Sequence, residues 1–192
     1  MECVFSAWRP GIGDPHPMGW VTVGVYLLAG LAAAVVAWRG AFPPGSRGRE
    51  RVFWTLAALL LLFLAVNKQL DLQSFMTAAG RCMAQAQGWY ENRRLVQLAF
   101  ILGLAGTGVL VLLGLRRLLR GTLARTGLAL LGLVLVTVFV LIRAAGFHHM
   151  DMLIGTRIAG MRLNWLLELP GPLLVLVVAL RARLTPAPGC KE

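Results

Sequence analysis

Residues 125–151 read RTGLALLGLVLVTVFVLIRAAGFHHMD. Between Arg125 and Arg143 every residue is apolar, glycine or threonine. As a helix that stretch rises about 27 Å, close to the roughly 30 Å hydrocarbon core of a bilayer. In lipid a segment must satisfy its own backbone hydrogen bonds, so the run reads as a spanning α-helix. Its two flanking arginines then snorkel to opposite surfaces. Immediately beyond Arg143 come His148, His149 and Asp151, titratable groups at the end of an otherwise apolar rod.

Working outward, four more runs have the same character. The spans are expected at about 18–38, 52–70, 95–115, 126–143 and 163–181. The chain is 58% hydrophobic with a mean hydropathy of +0.72, outside the range of soluble domains. The ten-residue alternation of a membrane β-barrel is missing. The expected fold is all-α: a polytopic helical bundle of five transmembrane helices in a single integral membrane domain, residues 1–192.

The net charge of +11 suggests nucleic acid only until its distribution is read. With the amino terminus outside, the inner segments hold Arg39, Arg47, Arg49, Arg51, Arg116, Arg117, Arg120, Arg125, Arg181, Arg183 and Lys191 against Glu50 and Glu192. The outer segments mix both signs. This is the positive-inside pattern, so the charge reports topology; aromatics interleaved with basic patches are absent, and no nucleic-acid partner is expected. A bacterial plasma membrane, with the carboxyl terminus cytoplasmic, is the expected location. The residues before the first helix lack the Lys/Arg cluster of a signal n-region, so that helix is expected to be retained.

The longest polar stretch, 67–94, carries Leu72, Phe75, Met76, Ala79, Met83 and Ala86 at helical spacing, with Gln69, Gln73, Thr77, Arg81 and Gln85 on other faces. An amphipathic interfacial helix on the outer side is expected there, stopped at Gly88, with Trp89 and Tyr90 as headgroup anchors. Cys3 and Cys82 fall on the outer side and Cys190 on the inner. A Cys3–Cys82 disulfide and two free thiols fit the sequence equally well. There is no CxxC motif and no HxxxH pair.

The polar groups therefore gather at one end. If the fourth helix continues past Arg143, His148 and Asp151 share a face; if it unwinds at Gly146, His149 and Asp151 become the closer pair. Asn67 and Asp71 stand at i, i+4, as do Asn164 and Glu168, while Tyr90, Arg94 and Gln97 share a face. Glu168 lies about 9 Å inward from Arg162, where a carboxylate costs several kcal/mol unless paired, protonated or wet. Its structural alternative is an ion pair with Arg143 or Arg157. Lys68 is expected to reach the outer headgroups.

The candidate catalytic residues are His148, His149, Asp151, Glu168 and Asp71. Candidate substrate contacts are Arg143, Arg94, Lys68, Asn164 and Tyr90. Candidate metal ligands are His148, His149, Asp151 and Glu168, for a divalent ion such as zinc. The expected function is a polar, metal-binding site at the outer face that acts on a membrane lipid or other amphiphile. The alternative is a non-enzymatic accessory or assembly subunit of a larger membrane complex, with other membrane subunits as partners. A transporter ranks below both, because charged residues are missing from the inner halves of the spans.

Overall fold

The computed structural model describes residues 2–9, 11–145, 157–158 and 161–184. The helices are α1 (Glu2–Ala7), α2 (Pro17–Arg39), α3 (Arg47–Leu70), α4 (Leu72–Ala86), α5 (Arg93–Leu118), α6 (Leu123–Ala145), α7 (Leu163–Glu168) and α8 (Pro170–Leu184). A short 3-10 turn, Tyr90–Asn92, precedes α5. Arg157–Ile158 and Met161–Arg162 form a two-residue antiparallel pairing; the architecture is otherwise all-helical. Five helical stretches are long and apolar enough to cross a membrane: Pro17–Arg39, Arg47–Leu70, Leu95–Leu118, Leu123–Arg143 and Leu163–Ala182.

Several helices outrun their apolar cores. α3 begins at Arg47, not near 52, because arginine and glutamate are good helix formers and need no lipid around them. α2 is capped by His16, whose backbone is extended (φ −66°, ψ 144°) and whose Nδ1 accepts the Met18 N–H at 3.2 Å, with Pro17 in the first turn. α3 stops at Asp71, which takes the left-handed conformation (φ 47°) that aspartate tolerates, and accepts the Ser74 hydroxyl at 2.6 Å. That turn lets α4 leave in a new direction. Gly88 (φ 75°) follows α4 as the expected stop. The last span is broken at Leu169: Pro170 and Pro172 have no N–H to give, so α7 ends at Glu168 and α8 starts afresh.

Lipid offers helices no hydrophobic drive to associate, so small residues that permit close approach set the packing. Ala29, Ala33 and Ala37 of α2 lie fully or nearly buried against Phe53, Trp54 and Leu61 of α3. The extensive contacts run α3–α2–α8–α6, with α5 resting lightly on the outside of α6. The glycines spaced along α5 and α6 predict a closely packed hairpin of those two helices, but the contact between them is light. Gly103, Gly106 and Gly114 have open space where a Cβ would point, and Gly108 meets only Leu141. Gly132 of α6 instead abuts Gly171 of α8: a Cβ added at Gly132 would lie 2.6 Å from the Gly171 carbonyl oxygen. Gly132→Leu should therefore lower stability by about 1–3 kcal/mol in thermal unfolding from nanodiscs, whereas Gly106→Leu should be close to neutral.

The two ends of the bundle differ. At one end the α2–α3 turn meets the α5–α6 turn: Arg49 donates to the Arg120 carbonyl (3.1 Å) and Arg125 to the Ala41 carbonyl (3.3 Å). Buried Glu50 there accepts the Ser46 hydroxyl at 2.7 Å and faces Arg125 at 3.8 Å. At the other end Cys3 and Cys82 are joined by a disulfide with Cα atoms 6.1 Å apart, tying α1 to α4. Trp8 packs edge-on against Phe75 beside it (5.0 Å).

Candidate functional site

The disulfide-bearing end contains a cleft of about 270 Å³. The last two turns of α3 supply Leu64, Asn67 and Lys68, with Asp71 at its cap; the end of α6 supplies Phe139, Val140 and Arg143. Tyr26 of α2 lies behind, and Asn164, Trp165 and Glu168 of α7 complete the wall together with Gly13 and Asp14 of the segment before α2.

Its centre is an ion pair. Lys68 Nζ donates to Glu168 Oε2 at 2.7 Å and stands 3.7 Å from Asp14 Oδ2. The Lys68 and Glu168 side chains are 9% and 5% exposed, and Asp14 is 23% exposed. The Tyr26 hydroxyl, itself buried, donates a further hydrogen bond to Glu168. The proline-broken start of the last span is what leaves Glu168 at this depth, one residue before Leu169. Across the cleft Arg143 Nη1 donates to Asn164 Oδ1 at 3.4 Å.

The segment before α2 closes over these groups. Gly13 N–H donates to the Gln69 carbonyl at 2.7 Å, and Asp14 N–H to the Gln69 side-chain oxygen at 3.3 Å. Gly13 is needed here, since a Cβ would lie 3.0 Å from Asp71 Cβ. Gly19 is needed for the same reason: a Cβ there would lie 2.5 Å from Asp14 Cγ. The His16 ring rests on Trp165 at 5.0 Å.

Comparison with protein-family models, with curated proteins and with solved structures returns no match for this chain. What the site does must be argued from its own residues.

Of the residues singled out in the sequence, Lys68, Asp71, Arg143, Asn164 and Glu168 line this one cleft. Lys68 turns inward to Glu168 and is not spread among headgroups, because a carboxylate at that depth needs a counter-ion and the end of α3 brings one within reach. Tyr90 lies in the 3-10 turn and does not line the cleft; Arg94 is in the first turn of α5. His148, His149 and Asp151 lie outside the described residues. Among the described residues no three His, Cys, Asp or Glu side chains group as a metal ion would require. Sequence reasoning missed Asp14 and Tyr26 as partners of the ion pair. Tyr26 had one signal, as the only hydroxyl-bearing aromatic inside the first span.

Proposed function

We propose that this protein binds the headgroup of a membrane lipid or related amphiphile in the Lys68–Glu168 cleft, on the non-cytosolic face of a bacterial plasma membrane. One observation carries the reading: a buried ion pair, ringed by Tyr26, Asn164 and Arg143, lines an open cleft inside a membrane-spanning bundle. Charge at such depth is costly and marks a working site unless it merely fastens helices. A fastener needs no cavity beside it, whereas this pair lines one of about 270 Å³.

Two features support the orientation. Arg39, Arg47, Arg49, Arg51, Arg116, Arg117 and Arg181 belong to helix ends away from the cleft, as the positive-inside rule asks of a cytosolic end. The Cys3–Cys82 bond suits an oxidising compartment, which supports a reading with the cleft end outside. In this arrangement α4, with Met76 and Met83 exposed, lies along the outer interface. Arg143 and Asn164 receive the anionic part of the headgroup, and Glu168 and Asp71 are the acid–base groups within reach. His148, His149 and Asp151, which follow α6, are the ligands a divalent metal would take.

A second reading, an assembly subunit of a larger membrane complex, draws on α5, whose apolar span is nowhere buried against the other described residues. The two readings separate in native mass spectrometry of protein released from membranes. Headgroup binding predicts a bound lipid in the parent that a folded Lys68→Met/Glu168→Leu variant loses. Equal lipid in both, with a co-purifying membrane protein, supports the subunit instead.

A further inference from the structure

The cleft lies between α3 and α6 at one end of the bundle, and the chain covers its end and its side differently. On the aqueous side residues 11–16 form a strap. It is hydrogen-bonded to Gln69 at the end of α3 and laid on Trp165 of α7 through His16, with Asp14 reaching down to Lys68 between them. The strap thus bridges from one wall to the other. Its upstream end is tethered through α1 by Cys3–Cys82, a link across 79 residues of sequence. At its downstream end the His16 carbonyl accepts the Gly19 N–H at 2.8 Å, and Asp14 lies so near Gly19 that an added Cβ would sit 2.5 Å from its Cγ.

On the membrane side the bundle is an incomplete ring. Extensive packing joins α3 to α2, α2 to α8 and α8 to α6, but no comparable packing joins α6 back to α3. Those two helices meet at the far end through Glu50 and Arg125. Near the cleft they are parted by it, with Leu64 on one side and Phe139 and Val140 on the other. The seam is apolar below and polar above, as an amphiphile is.

We infer that the cleft exchanges its ligand with the bilayer, through the seam between α3 and α6, and that the stapled strap shuts the aqueous route. The ligand class follows: a chain-bearing lipid, whose headgroup slides between Lys68 and Arg143 while its chain stays against Leu64, Phe139 and Val140, and not a water-soluble solute. The inference rests on the headgroup-binding reading for the identity of the ligand, but the route itself is testable without one.

The test places a reporter thiol in the cleft, Asn67→Cys, in a Cys190→Ser background in proteoliposomes. A charged, membrane-impermeant methanethiosulfonate probes the water route and N-phenylmaleimide, dissolved in the bilayer, probes the seam. With Cys3–Cys82 intact, the maleimide should react and the charged reagent should be slower by about tenfold or more; Cys3→Ser/Cys82→Ser should raise the charged reagent's rate by a similar factor, because labelling follows the population of the open form. Equal charged-reagent rates with and without the staple would overturn the inference, as would a maleimide rate no faster than the charged one in the stapled protein. Asn164→Cys, on the opposite wall, repeats the measurement if the first variant does not fold. A route confirmed in protein that retains no lipid by mass spectrometry would count against headgroup binding and not against the route.

Discussion

Lys68→Met should destabilise the protein by about 3–5 kcal/mol, the usual cost of leaving one member of a buried ion pair alone. The variant strands Glu168, 5% exposed, with the Tyr26 hydroxyl beside it but no ammonium at 2.7 Å. Glu168→Leu should cost less, because Lys68 keeps Asp14 at 3.7 Å and its long stem can lift the charge toward water. The double variant Lys68→Met/Glu168→Leu removes both charges and should recover most of the loss, since apolar residues of similar size replace buried pairs at little cost. A double-mutant cycle by thermal unfolding in nanodiscs checks this, with a coupling of at least about 1 kcal/mol expected between the two sites. Additive losses would mean that the two side chains do not meet in the membrane.

At the opposite end, Arg125→Met should cost about 2–3 kcal/mol while Glu50→Leu stays near neutral. Glu50 is 1% exposed and holds the Ser46 hydroxyl at 2.7 Å, but among the described residues its only cation is Arg125 at 3.8 Å. Arg125, 36% exposed, loses little without Glu50 because water and the Ala41 carbonyl remain. The variant also loses that bond to Ala41, which ties the α2–α3 turn to α6. The same unfolding assay measures the asymmetry. Equal effects of the two substitutions would show that the carboxylate is not held in a desolvated pocket.

Depth along the membrane normal was legible in the sequence; rotation about each helix was not. Bilayer thickness sets span length, so five rods could be counted from hydropathy, and the sequence places Pro170 and Pro172 just below Glu168, where a helix must break or kink. Glu168 stood out because its depth makes it costly. Its partner did not, since several cations share that depth and only azimuth selects Lys68. Asp14 and Tyr26 escaped for the same reason: they join the site through the close packing of α2 between α3 and α8, which no local pattern announces. Small residues in α5 and α6 signalled close approach and pointed each helix at the other, but small residues alone do not select the neighbour. Gly132 found Gly171, whereas among the described residues only Gly108 of the α5 glycines meets a neighbouring side chain, Leu141. The Cys3–Cys82 bond, one of two equal readings in the sequence, follows from α4 folding back at Asp71 to bring Cys82 beside α1.

Headgroup binding between α3 and α6 is tested most directly by photocross-linking with a phospholipid that carries a diazirine in its acyl chain, followed by peptide mapping of the adducts. Adducts concentrated on Leu64, Phe139 and Val140, and lost in Lys68→Met/Glu168→Leu, are the predicted result. Adducts spread evenly over the lipid-facing surface of α5 and the outer faces of the bundle, unchanged by removing the ion pair, would contradict it.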